Sequence, residues 1–192
     1  MKDIIVDLNI PQETKDFLCN TKIKKNEFES LGIEFVNKEQ GFLFDVVEWT
    51  KINDCTLKEL NKEFVREFLG ELEKFRDYYV VAQNCDTGNL ISIHKSTGKI
   101  YELEHEVTEE VVRYFVNSSF AKMYESMKCF KKIKSKIIKL KEQEKIEEIE
   151  LLFEKSKKDF SLIDSKVVIN DDEYNRQFWN GVLESYKEWC LD

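Results

Sequence analysis

The stretch His94-Lys95-Ser96-Thr97-Gly98-Lys99 holds the residue types that most invite a reading as chemistry. A phosphate loop needs Gly-x-x-x-x-Gly-Lys-Ser/Thr between a strand and a helix, so that backbone N–H groups and a helix N-terminus surround the phosphates. Here Gly88 lies too far upstream of Gly98, Lys99 is followed by Ile100, and the next residues read as a strand. The spacing therefore predicts a hairpin turn in which Gly98 supplies a positive φ. Imidazole chemistry would fall to His94 and His105. His94 alternates with Ile91 and Ile93, so it is expected to point away from the face they bury. The chain has neither a His-Glu-x-x-His pattern nor a zinc deaminase signature. Its five cysteines are odd in number, widely spaced and without a Cys-x-x-Cys pair. They read as reduced, half-buried thiols rather than metal ligands or a disulfide scaffold. Ser118 and Ser119 precede a helical pattern and are expected to be caps, not nucleophiles. With 38 acidic residues, any carboxylate pair chosen for acid–base work would be arbitrary. The expectation is a protein that is not an enzyme, with no catalytic, cofactor-binding or metal-binding residues.

The elements that carry these residues follow from periodicity. Ile4 to Leu8 reads as a short strand, and Pro11 opens a helix over 11–18. The segments "FESLGIEFV" and "GFLFDVVEW" read as strands around Gly32 and Gly41. Thr56 and Glu59 fit a capping box for a helix over 57–74, with Leu57, Leu60, Phe64, Phe68 and Leu72 at helical spacing. The segments "YYVVAQN", "NLISIH" and "KIYELEH" read as three more strands. A short helix is expected within "VTEEVVRYFVN". A long helix over 118–140, capped by Asn117 or Ser118, carries the stripe Phe120, Met123, Met127, Phe130, Ile133 and Ile137. Another spans about 143–159 on Ile146, Ile149, Phe153 and Phe160. "SKVVIN" reads as extended, and Asn170 with Glu173 signals the cap of a last helix bearing Tyr174, Phe178, Val182, Tyr186 and Trp189. The fold class expected is α+β: a mostly antiparallel, twisted sheet with helices packed around it and a helical C-terminal third. One domain over 1–192 is expected, its core over 10–130 and its C-terminal helices over 131–192.

Six glycines and one proline leave little room for linkers. The net charge of −8 argues against a general binder of nucleic acid or of anionic membrane, both of which favour a basic face. It suits a basic protein partner instead. Seven lysines in "KKIKSKIIKLKEQEK" precede the acidic "IEEIELLFE". These read as solvated faces that could pair across a helical hairpin. No run reaches membrane-spanning length and the N-terminus does not fit a signal peptide, so a soluble, cytoplasmic protein is expected.

The hairpin and the capped helix carry a resemblance. "ISIHKSTGKIYELEHE…RYFVNSSFAKMYESM" resembles the SUKH superfamily in Thr97-Gly98-Lys99-Ile100-Tyr101 and in Phe115-Val116-Asn117-Ser118-Ser119-Phe120. "IPQETKDFL" is similar to the N-terminal helix of that family, and "YYVVAQNCDTGNLISIH" to its core strand, turn and following strand. "LID…EYNRQFWNGVLES", with Asp164 and Trp179, resembles the closing segment of the branch associated with nucleic-acid deaminase toxins. The chain departs from the family at Gln83-Asn84-Cys85-Asp86, where a glycine-rich segment is usual.

The resemblance implies a bacterial immunity protein that binds and neutralises a cognate toxin domain, a nuclease or a deaminase with a basic surface, in the cytoplasm. The alternative on the same fold is a regulatory or scaffold protein with a non-toxin protein partner. Gly98, Tyr101, Asn117, Ser118 and Trp179 are expected to set the turn, cap and core rather than to touch a toxin. Strand alternation and charge nominate Ser92, His94, Glu102 and Glu104, taken as outward-facing, together with Asp86 in the preceding turn, as the partner-binding residues.

Overall fold

The computed structural model describes residue 5 and residues 7–24, 26–29, 31–106, 111–167 and 177–191. Five strands form one antiparallel sheet in sequence order: β1 (Ile33–Phe35), β2 (Tyr78–Asn84), β3 (Leu90–His94), β4 (Ile100–Leu103) and β5 (Arg113–Asn117). The helices are α1 (Gln12–Asn20), α2 (Asn26–Glu29), α3 (Val46–Asn53), α4 (Lys62–Glu71), α5 (Phe120–Lys141), α6 (Ile146–Ile163) and α7 (Phe178–Leu191). The architecture is α+β, with its C-terminal part helical.

The middle strand shows how thoroughly the sheet is covered. Leu90, Ile91, Ser92 and Ile93 are all buried, so β3 has no solvent face. Helix α5 lies on the side of the sheet that carries Ile100 and Asn117, and the stripe from Phe120 to Ile137 is buried as the spacing requires. Helix α1 reaches α5 through Phe17, whose ring lies 5.9 Å from Phe120 and 6.0 Å from Tyr124. Helices α5 and α6 pack as a hairpin, and α7 contacts both α6 and β5.

Between β3 and β4 the Gly98 N–H donates to the His94 carbonyl at 2.9 Å, with Gly98 at φ 67°. The turn reading holds. The turn is also packed: a Cβ at Gly98 would lie 2.9 Å from Pro11 Cγ and 3.2 Å from Thr14 Oγ1. Glycine is needed there both for its backbone angle and for the close approach of α1.

Several expected elements differ. Ile5 and Asp7 are helical rather than extended. "FESLGIEFV" yields a helical turn and only three residues of strand. "GFLFDVVEW" is not a strand, because Asp45 caps α3 by accepting from the Glu48 N–H at 3.0 Å. Leu43 to Asp45 nevertheless line the edge of β2, where the Leu43 N–H donates to the Val80 carbonyl at 2.8 Å. The helix over 57–74 is three pieces. Asp54 caps a 3₁₀ turn over Cys55–Lys58, Asn61 caps α4, and Leu72–Phe75 is again 3₁₀. Asp and Asn outcompete Thr56 for the orphan N–H groups. Of the segment expected to hold a short helix, Arg113–Asn117 is strand β5, since its backbone pairs with β4, and residues 107–110 lie outside the described residues. Ser119, rather than Asn117 or Ser118, caps α5 by accepting from Lys122 N–H at 3.3 Å. The cap at Asn170 and Glu173, Tyr174, and residues 168–170 of "SKVVIN" lie outside the described residues.

Candidate functional site

A cleft of about 630 Å³ opens between the sheet and helices α5 and α7. Its floor is Glu102 on β4, flanked by Asn84 at the end of β2 and Thr87 in the following turn. Its helical wall brings Phe130 and Lys134 from α5, and Asn180 and Tyr186 from α7. Glu29 and Asp86 sit at the edge near β1, and Glu184 at the edge of α7.

Register explains why a carboxylate lies on this floor. Glu102 pairs with Ile91, and Tyr101 with Ser92. Directly paired residues share a face, so Glu102 points to the Ile91 side and Ser92 and His94 to the other. The expectation of one outward row of Ser92, His94, Glu102 and Glu104 is therefore corrected in two ways. The residues lie on opposite faces, and neither face of β3 is open. Ser92 is fully buried with its hydroxyl unpartnered, so it presents nothing to a partner. His94 is half-buried, edge-on to Tyr78 at 5.1 Å. Glu104 is half-buried and accepts from the Tyr114 hydroxyl at 2.6 Å. Of the five nominated residues, the structure brings Asp86 and Glu102 together in the cleft and leaves Ser92 and His94 elsewhere.

Glu102 is only 7% exposed. Its Oε1 accepts from Asn84 Nδ2 at 2.9 Å and, more weakly, from Thr87 Oγ1 at 3.4 Å. Burial raises its pKa above the ordinary carboxylate value; the hydrogen bonds from Asn84, Asn89 and Thr87 offset this only in part, and Glu104 adds to the rise. Across the cleft, Asn180 Oδ1, Gln177 Oε1 and the Tyr186 hydroxyl are buried without a hydrogen-bond partner. Burial pushes the Tyr186 hydroxyl up to about 12, with the nearby Cys190 contributing. Sequence reading missed Gln177 and Asn180. The signal was a pair of amides three apart beside the apolar stripe of the last helix, which periodicity alone reads as solvated.

The second buried carboxylate is built differently. Asp164, just past α6, has a fully buried side chain. Oδ2 accepts from the Ser118 N–H at 2.6 Å and from Asn117 Nδ2 at 3.3 Å. Oδ1 accepts from Ser118 Oγ at 3.0 Å, the Lys166 N–H at 3.2 Å and Lys122 Nζ at 3.3 Å. Asn117 in turn accepts from Trp179 Nε1 at 3.0 Å. Burial alone would raise the Asp164 pKa, but hydrogen bonds from the Ser118 and Lys166 backbones and the Asn117 and Ser118 side chains outweigh it and hold it below the ordinary value. Asn117, Ser118, Asp164 and Trp179, distant in sequence, thus form one polar knot joining β5, α5, α6 and α7.

No family model, curated protein or solved structure matches this chain.

His105 is buried edge-on to Trp49 at 5.9 Å, its Nδ1 is unpartnered, and burial lowers its pKa. The five cysteines are free: Cys55 and Cys85 are exposed, Cys19 and Cys129 half-buried, and Cys190 buried. The thiols are thus more varied in exposure than their spacing implied. Lys128–Glu125 on α5, and Lys145–Glu148 and Lys157–Glu154 along α6, are ion pairs between residues three apart, whereas Lys122 on α5 reaches Asp164 past α6. Among the described residues no helix is long and apolar enough to cross a membrane, and no group of three or more His, Cys, Asp or Glu residues could hold a metal ion.

Proposed function

We propose that this chain is an immunity protein of the SUKH type, acting in the cytoplasm by binding a cognate toxin domain rather than by catalysis. The observation that carries this reading is the polar knot. The residues on which the family resemblance rests, Asn117-Ser118, Asp164 and Trp179, come from separate segments and are mutually hydrogen-bonded in the interior. A shared sequence signature of a fold is expected to behave in this way. The turn at Gly98, docked against Pro11, supports it from the other end of the chain.

The partner implied is a nuclease or nucleic-acid deaminase domain with a basic surface. The net charge of −8 favours such a partner, because complementary charge speeds encounter and selects against acidic competitors. Binding would then exclude nucleic acid from the toxin without the inhibitor itself touching nucleic acid.

The test is a titration of this protein against the inactivated toxin domain encoded beside it, at low and moderate salt. Nanomolar affinity that weakens as salt rises is expected. Absence of binding at micromolar concentration would overturn the reading.

A further inference from the structure

We propose that the cleft between the sheet and α7 is a binding site for a guanidinium group. Three features of the cleft converge on that chemistry. The first is a surplus of acceptors. Asn180 is 5% exposed, and its Oδ1 has no donor, while its Nδ2 is turned to Glu184 Oε1 at 3.4 Å. Gln177, half-buried just before α7, likewise has a buried Oε1 without a donor. Buried acceptors without donors are costly and uncommon in native proteins. Both belong to residues lining one cleft, opposite the Glu102 carboxylate.

The second feature is charge. Glu29, Asp86, Glu102 and Glu184 line the cleft against Lys134. Lys134 itself leans on the Tyr186 ring, its Nζ 5.7 Å from the centroid. The third feature is room. Gly181 lines the cleft on a helix, where glycine is less favourable than alanine. A Cβ there would meet no atom within 4 Å.

The ligand that matches carries several N–H donors and a positive charge. Guanidinium has five donors in a fixed plane and stacks on aromatic rings, whereas an ammonium offers three at one point. The ion pair would go to Glu102 and the remaining donors to the Asn180 and Gln177 carbonyls once their amides turn toward the cleft. A guanidinium of this kind reaches the cleft either as a free small molecule or on an arginine side chain of a protein. The site stands apart from the toxin-binding reading and does not depend on it.

The experiment is a titration of the full chain with agmatine, with a Gly-Arg-Gly amide, and with putrescine as the ammonium control. Calorimetry and the side-chain amide NMR signals of Asn84, Gln177 and Asn180 would be followed. Saturable binding below about 10 mM is expected for a guanidinium probe, with putrescine at least about tenfold weaker. Preference for agmatine identifies a free ligand, and preference for the peptide identifies a protein arginine. Glu102→Gln is expected to weaken binding at least about tenfold by removing the charge, and Gly181→Leu to abolish it by filling the cleft. Circular dichroism and thermal melting establish that both variants are folded. No saturation by either guanidinium probe, or unchanged affinity in both folded variants, would overturn the proposal.

Discussion

Asp164 and Glu102 are both buried carboxylates, yet the protein treats them in opposite ways. Asp164 receives donors on both oxygens, two of them backbone N–H groups, and is held ionised. Glu102 receives side-chain donors on one oxygen and is pushed toward the neutral form. One carboxylate ties together the ends of four elements. The other lies on the floor of a cleft that Gln177 and Asn180 also line. Burial alone therefore does not reveal what a buried acid does; the completeness of its hydrogen bonding does.

The largest expected effect tests the satisfied side. Asp164→Ala removes the acceptor of the Ser118 and Lys166 N–H groups and one of the two acceptors of Asn117 Nδ2, and should cost on the order of 3 kcal/mol in urea unfolding. A loss under about 1 kcal/mol would mean that the knot is incidental. A smaller cut sharpens the same point: Ser118→Ala removes the hydroxyl's bonds to Asp164 and Lys122 and should cost about 1–2 kcal/mol while leaving Ser119 to cap α5.

The smallest effect, of opposite sign, belongs to Glu102→Gln. It should leave stability at neutral pH within about 1 kcal/mol and on the stabilising side, because no charge is then buried. The pH dependence separates the two acids. The folded pKa of Asp164 lies below its unfolded value, so its contribution is present above about pH 4 and is lost as pH falls through the folded pKa. The folded pKa of Glu102 lies above its unfolded value, so the native state binds the extra proton between the two. Relative to Glu102→Gln, the wild type should gain stability as pH falls through the raised pKa toward about 4. Parallel stability–pH curves for the two proteins would remove the contrast between the two carboxylates.

How much of this was legible follows the same divide. The stripe from Phe120 to Ile137, the turn at Gly98 and the α+β layering rest on local periodicity and on one backbone angle, which a sequence displays directly. Helix α3 was misread because the aromatic and β-branched "FLFDVVEW" favours strands, while Asp45 and Glu48 supply a start signal that overrides it. Glu102 was misplaced because alternation gives two faces but not which of them is covered. That depends on pairing with Ile91 and on α7, far along the chain. Asn180 and Gln177 acquire meaning only when the last helix is set against the sheet.

The order of the strands bears on how the chain assembles as it is made. Each strand pairs with the one next to it in sequence, so β2 to β5 can grow through short connections, while β1 joins β2 across the segment that carries α3 and α4. Helix α1 has no such neighbour: Phe17 meets Phe120 and Tyr124, and Pro11 meets the turn at Gly98. Phe17 therefore cannot meet these rings until α5 has been made. Docking of α1 is thereby tied to completion of the sheet and the start of α5.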